Sequence, residues 1–145
     1  MNQQKLAEPP RIVLDTNVLY AGLYSADGKS HQLLKAIAGG KVRIALSTPL
    51  LFEYEDVLKR NQPMLGLSHT EVEAILDNLC AQADFQSVYF LWRPCLPDAK
   101  DDMVLELAVA AQVPCIVTFN AKDFRPAARF GIDVITPKTL LLELV

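Results

Sequence analysis

Short apolar runs and longer segments with helical spacing alternate along most of this 145-residue chain. Runs such as IVL at 12–14 are typical of strands that are buried on both faces of a sheet. The pattern predicts five strands, in RIVLD, VRIALS, FQSVYF, CIVTF and DVIT. It predicts six helices, over Thr16–Tyr24, Ser30–Ala38, Pro49–Arg60, Thr70–Ala83, Lys100–Gln112 and Pro137–Leu144. This alternation favours an α/β fold in which helices flank a central, mainly parallel sheet.

The segments between these elements indicate the organisation of the chain. SADGKS, NQPMLGLS and RPCLPD are predicted loops, and the opening MNQQKLAEPP lacks the apolar core of a signal peptide. We expect a flexible segment at 1–10 and a single domain at 11–145. No later apolar run approaches the roughly 20 residues that cross a bilayer, so the sequence predicts a cytoplasmic protein with no membrane partner.

Composition and charge narrow the function. Hydrophobic residues make up 51% of the chain, enough for the core of one domain. The net charge of -3 gives no general attraction to nucleic acid, so any such binding must be local. Cys80, Cys95 and Cys115 show no CxxC spacing, which indicates reduced thiols rather than a zinc site.

Acidic side chains recur where predicted strands end and helices begin. They are, in chain order, Asp15, Glu53, Asp101 and Asp123, with Asn120 near the last. The first strand runs directly into its acid, without the glycines that a dinucleotide site places there. Because the carboxyl ends of parallel strands share one edge of the sheet, we expect these acids to meet. Clustered carboxylates repel one another unless a hard cation such as Mg²⁺ or Mn²⁺ lies between them.

Helical phase distinguishes some of the acids. In DAKDDMVLELAVAAQ, Asp101 lies roughly 60° from the apolar stripe at Val104, whereas Asp102 lies about 160° away. We therefore expect Asp101 to face the sheet and Asp102 to face water. In TPLLFEYEDVLKR, Glu53 and Glu55 flank the apolar stripe at similar angles, so phase does not choose between them.

Four segments, in this order, resemble the PIN-domain nucleases. They are VLDTNVL, STPLLFEYEDVL, DAKDDMVLELAVAA and IVTFNAKDF. Within that family the chain is similar to VapC, the toxin of a toxin-antitoxin pair. The resemblance extends from Arg11 to Val145 and implies a three-layer sandwich with a mainly parallel central sheet.

The resemblance also implies a role for each polar residue. It carries catalytic acid roles to Asp15, Glu53, Asp101 and Asp123, which resolves the choice at the second position in favour of Glu53. Metal binding falls to Asp15, Asp101 and Asp123. After the fourth strand the family pattern allows Asn120 or Asp123; the acid role goes to Asp123, with Asn120 as a neutral assistant.

Supporting positions are Thr16, Asn17, Ser47, Thr118 and Asn120, of which the three hydroxyl residues suit helix or turn capping equally well. Lys122 and Arg125 are the cations nearest to the site for substrate binding.

The implied activity is an Mg²⁺- or Mn²⁺-dependent ribonuclease with an RNA substrate, an antitoxin partner and a homodimeric state. Two alternatives come from other classes. A phosphotransferase with an aspartyl intermediate also places Asp after its first strand, but its usual pattern has a second acid where this chain has Asn17. A non-catalytic PIN-fold module that binds RNA or protein remains the second alternative.

Overall fold

Five parallel strands form the central sheet in a computed structural model that describes residues 8–88 and 99–144. The strands lie in the order β3-β2-β1-β4-β5. Their bounds are Arg11–Leu14 (β1), Arg43–Leu46 (β2), Asp84–Phe85 (β3), Cys115–Val117 (β4) and Asp133–Ile135 (β5). Every neighbouring pair is parallel. The predicted α/β architecture with a parallel sheet is therefore confirmed.

In the described part of the chain, seven α-helices and one 3₁₀ helix connect and flank these strands. The α-helices are Thr16–Tyr24 (α1), Lys29–Ala38 (α2), Thr48–Arg60 (α3), Gln62–Leu65 (α4), His69–Gln82 (α5), Ala99–Ala111 (α6) and Pro137–Glu143 (α7). The 3₁₀ helix covers Ala121–Phe130, between β4 and β5. The six predicted helices are all present, with ends that differ by no more than one residue.

Three local predictions differ from the structure. The predicted NQPMLGLS loop contains α4, a short helix that has a proline in its first turn and is followed by Gly66 in the left-handed region. The 3₁₀ helix was not predicted, because Pro126 interrupts the helical pattern. Within FQSVYF only Phe85 belongs to a strand, while 89–90 lie outside the described residues. The predicted RPCLPD loop, with Cys95, also lies outside them.

The core is built on the central strands and α6. Ile12, Val13 and Leu14 are fully buried, as their apolar run predicts. Helix α6 packs against β1, β2 and β4, and also against α3 and the 3₁₀ helix. These contacts cover more of its circumference than one apolar stripe.

The expectation that Asp102 faces water is therefore wrong. Its side chain is only 1% exposed, although the predicted stripe of Val104, Leu107, Ala108 and Ala111 is buried as expected. A periodic pattern assumes one solvated face, but the neighbours of α6 cover the face that carries Asp102. Within the described residues, no helix is long and apolar enough to cross a membrane.

Candidate functional site

The carboxyl edge of the sheet is where helices begin. Asp15 follows β1 and caps α1, Ser47 follows β2 and caps α3, and Thr136 follows β5 and caps α7. In each case a side-chain oxygen accepts a hydrogen bond from a backbone N–H of the first turn, which satisfies a donor that has no partner inside the helix. Polar side chains are thus concentrated on this edge for local structural reasons.

Asp15 is buried at this edge and both of its carboxylate oxygens are engaged. Oδ1 accepts from the backbone N–H of Thr16 at 2.8 Å, and Oδ2 accepts from the Thr118 hydroxyl at 2.7 Å. The Thr118 hydroxyl also accepts from the backbone N–H of Asn120 at 3.0 Å. The orientation of Asp15 is consequently fixed by its own helix and by the end of β4.

Tyr54 binds the backbone directly before Asp15. Its hydroxyl donates a hydrogen bond to the backbone carbonyl of Leu14, and its side chain is fully buried. Burial raises the pKa of Tyr54 well above its ordinary value, and the negative charge of Asp15 raises it further. The phenol therefore stays protonated at neutral pH and acts as a structural donor, not as a base.

A cavity of about 440 Å³ opens above Asp15 and is lined by three carboxylates from distant parts of the chain. They belong to Asp15, Glu53 and Asp101. Glu55, the other acid that helical phase left open, does not line the cavity and instead pairs with Lys59 at 2.8 Å. The cavity also receives Thr16, Asn17 and Asn120 from the predicted supporting set.

The remaining predicted residues lie outside this cavity. Ser47 is buried and its hydroxyl oxygen accepts from the backbone N–H of Leu50 at 3.3 Å, which is a capping contact. Asp123 is half-buried in the 3₁₀ helix, where its backbone N–H donates to the carbonyl of Asn120 at 2.9 Å. Lys122 and Arg125 are exposed on the same helix. Asn120 therefore lines the same cavity as the three carboxylates, and Asp123 does not.

The donor set of the cavity suits a hard divalent cation. Asn17 lines it with a buried Oδ1 that accepts no hydrogen bond from any residue within 8–88 or 99–144. A buried oxygen without a donor is costly, and a cation or water satisfies it. Among those residues, no three His, Cys, Asp or Glu side chains form a ready-made metal cluster. Mg²⁺ commonly uses one or two carboxylates and retains several waters, and oxygen donors around a cavity fit that mode.

The cavity is also lined by three polar residues that were not predicted from the sequence. They are Tyr20, Asn61 and Lys100. The Lys100 ammonium lies 3.9 Å from the Glu53 carboxylate and places a positive charge among the acids. Tyr20 stands one helical turn after Thr16, so the spacing of α1 was a usable signal for it. Lys100 directly precedes Asp101. Because neighbouring positions on a helix do not share a face, no signal in the sequence indicated that both residues would line one cavity.

Comparisons with known proteins agree with this architecture. A family model described as the PIN domain matches residues 11–122, a range that includes Asp15, Glu53, Asp101 and Asn120 and ends one residue before Asp123. No curated protein matches the sequence. A chain in the crystal structure of VapBC2 from Rickettsia felis, bound to a DNA fragment from their promoter, superposes with a TM-score of 0.59. The two chains share 15% identity over 86% of this chain and 98% of the other.

Proposed function

The chain belongs to the PIN-domain family, and on that premise we propose that it is a metal-dependent endoribonuclease that hydrolyses RNA phosphodiester bonds. The observation that carries this proposal is the single cavity lined by Asp15, Glu53 and Asp101 at the carboxyl edge of the sheet. Three acids from separate segments in one cavity lower the stability of the folded state, because like charges repel. Their presence together therefore indicates a functional role. Phosphodiester hydrolysis uses such a set.

Asp15, Asp101 and the Oδ1 atom of Asn17 are the groups that would hold Mg²⁺ or Mn²⁺ here. The ion supplies charge neutralisation for the phosphoryl oxygens and lowers the pKa of the attacking water. Asn120 takes the fourth position in place of Asp123, because Asn120 lines the cavity and Asp123 does not. A neutral amide at this position leaves three formal negative charges in the cavity.

The chain's own residues orient the reactants. The Thr118 hydroxyl and the N–H of Thr16 hold the Asp15 carboxylate in one orientation. Glu53, which also lines the cavity, is assigned to orient the attacking water and to accept its proton. Lys100, beside Glu53, is assigned to the phosphate, and the exposed Lys122 and Arg125 to the RNA backbone beyond.

The proposed setting is a toxin-antitoxin pair in which a small antitoxin covers this cavity and the toxin forms a homodimer. The sequence resemblance to VapC supports this setting. Light scattering on the purified protein, alone and together with the product of any adjacent small gene, tests both partners. A monomer that neither binds such a product nor loses activity with it contradicts the toxin assignment but leaves the nuclease assignment intact.

The activity is tested on a pool of single-stranded RNA with Mn²⁺ and with EDTA. We expect cleavage with Mn²⁺ and none with EDTA. Asp15→Asn and Asp101→Asn should each reduce the cleavage rate by about 100-fold or more, because each removes one negative oxygen ligand while retaining the size of the side chain. Circular dichroism and thermal melting verify that the variants remain folded.

Glu53 and Glu55 offer a matched pair on α3. Glu53→Gln changes an acid in the cavity and should abolish most of the cleavage, whereas Glu55→Gln changes an acid that pairs with Lys59 outside it and should retain activity. Cleavage that persists with EDTA contradicts the metal mechanism. Mn²⁺ binding without cleavage of any RNA would instead favour the non-catalytic binding module.

A further inference from the structure

A second cavity, of about 390 Å³, lies next to the candidate active site and is mostly apolar. Its walls come from the end of α1, the start of α2, the second residue after β4 and the start of α7. Two aromatic side chains contribute to it, Tyr24 with 57% exposure and Phe119 with 50% exposure. We call this surface the aromatic groove. Large apolar side chains that remain half exposed in one groove are typical of a binding surface.

The aromatic groove and the carboxylate cavity are lined by neighbouring residues on two stretches of the chain, one on α1 and one after β4. On α1, Tyr20 lines the carboxylate cavity and Tyr24 lines the groove, and their rings are stacked with centroids 5.9 Å apart and planes inclined by 14°. After β4, the consecutive residues Asn120 and Phe119 line the cavity and the groove respectively. The two surfaces are therefore adjacent, so an elongated ligand that lies over the carboxylates is near enough to contact the groove as well.

The charges of the groove differ from those of the protein as a whole. Lys29 and Lys138 line it, and no acidic residue does so among the described residues. The whole chain carries a net charge of -3, and the neighbouring cavity contains three carboxylates. Two cations beside exposed aromatic rings complement a ligand that combines negative charge with flat apolar faces.

We propose that the aromatic groove is a subsite for single-stranded RNA, in which a nucleobase stacks on Tyr24 or Phe119 and the sugar-phosphate backbone passes Lys29 and Lys138. This inference rests on the proposed function, because it places an RNA strand that runs from the groove to the carboxylates. Stacking on aromatic side chains tolerates every base, and cations beside the rings follow the backbone. The groove thus binds RNA in general and does not read a sequence.

The test measures RNA binding without cleavage. Two fluorescein-labelled 12-nucleotide probes, a random-sequence RNA pool and an abasic ribose-phosphate strand, are titrated with the full chain in EDTA, and anisotropy is recorded. The double variant Tyr24→Ala/Phe119→Ala should bind the random pool about tenfold more weakly than the unmodified chain does. It should bind the abasic strand with unchanged affinity, because only the bases stack.

The lysines should behave differently from the aromatic residues. Lys29→Ala/Lys138→Ala should weaken binding of both probes, and it should reduce the slope of log affinity against log salt by about 0.7 for each lost phosphate contact. Tyr24→Phe/Phe119→Tyr keeps both rings and should restore binding of the random pool. Phe85→Ala, which removes a ring of 52% exposure at the opposite edge of the sheet, is the matched control and should bind like the unmodified chain.

Several results overturn the inference. Equal binding of the random pool by the double aromatic variant and the unmodified chain removes the stacking role. An equal loss for the abasic strand shows that the rings act through the fold or the backbone. Loss of a dimer or of antitoxin binding in the double aromatic variant, with RNA binding intact, assigns the groove to a protein partner. If the unmodified chain binds the random-sequence pool more tightly than the abasic strand but cleaves no RNA, the groove proposal is supported and the nuclease proposal fails. The two proposals can therefore fail independently of each other.

Discussion

Thr118 donates a hydrogen bond from its buried hydroxyl to the Asp15 carboxylate at 2.7 Å, across 103 positions of sequence. The contact joins the end of β4 to the end of β1, which are neighbouring strands in the sheet. It positions an acid that two other segments, around Glu53 and Asp101, also approach. The contact therefore connects the pairing of two core strands with the geometry of the proposed active site.

Thr118→Val should lower the free energy of unfolding by about 1–3 kcal/mol, because a buried carboxylate oxygen and the N–H of Asn120 both lose a partner. The rate of RNA cleavage should fall as well, since Asp15 is no longer held in one orientation. Urea denaturation and the Mn²⁺ cleavage assay measure the two effects. Thr118→Ser retains the hydroxyl and should recover most of both; equal loss in both variants would show that the methyl packing, not the hydrogen bond, matters.

Lys100→Met should increase the affinity for Mn²⁺ by about two- to tenfold, because the ammonium near Glu53 competes with a divalent cation in the carboxylate cavity. The same variant should bind RNA more weakly, since the cation that we assign to the phosphate is lost. Calorimetric titration with Mn²⁺ checks the first effect. Lys35→Met, on the exposed face of α2, is the control. An unchanged or weaker Mn²⁺ affinity in Lys100→Met would contradict a metal site in the carboxylate cavity.

Stability should fall in alkali as the pH rises above 9. Burial raises the pKa of the Cys115 thiol to about 12, from an ordinary value of 9.0, with further contributions from Glu143 and Asp133. The folded state keeps a proton that the unfolded state loses, so this contribution is complete below pH 9 and is lost progressively up to about pH 12. In that range, Cys115→Ala should reduce the slope of unfolding free energy against pH by the amount that corresponds to about one proton released on unfolding.

Tyr54 should add to the alkaline loss at higher pH, because its pKa in the folded state is also raised by burial. Urea denaturation at each pH from 7 to 12 measures both effects. Tyr54→Phe should unfold with less urea at pH 7, where the hydrogen bond to Leu14 is lost, and should show a shallower decline above pH 10. A decline of the same slope in Cys115→Ala, Tyr54→Phe and the unmodified chain would contradict both assignments.

Asp84→Asn should weaken the edge of the sheet. The guanidinium of Arg43 donates two hydrogen bonds to Asp84, one of them from Nε at 3.0 Å, and these bonds hold the two-residue strand β3 against β2. The pair holds the pKa of the Asp84 carboxyl below its ordinary value. Its contribution is therefore present above pH 3.8 and is lost as the pH falls below it.

At pH 7 the expected decrease of Tm in Asp84→Asn is about 1–3 °C, because exposed ion pairs contribute little. Thermal melts at pH 7 and at pH 3 measure it, and the difference between variant and unmodified chain should shrink in acid and in 1 M salt. Asp56→Asn, which breaks an exposed pair with Arg60 inside one helix, is the control. A difference that is independent of pH would show that Asp84 acts through packing.

Local patterns predicted most of the fold because each element carries its own signal. Apolar runs located β1, β2 and β4, and capping residues with helical periodicity placed the ends of six helices within one residue. The two elements that were not predicted, α4 and the 3₁₀ helix, are short or broken by proline, so neither has a full period of apolar residues. β3 has only two residues, and it is defined by pairing with β2 and not by its own sequence.

The candidate site divides in the same way. The sequence by itself determined that acids follow the strand ends and that a parallel sheet gathers such ends at one edge, because strand direction and helix capping are local or topological properties. Helical phase left Glu53 and Glu55 open, the resemblance to the PIN-domain nucleases favoured Glu53, and Glu53 lines the cavity. Only the tertiary structure decided that Asn120 and not Asp123 lines the cavity and that Asp102 is buried. These outcomes depend on which neighbours cover each face of α3, α6 and the 3₁₀ helix. Packing between elements distant in the chain sets that coverage, and no local periodicity encodes it.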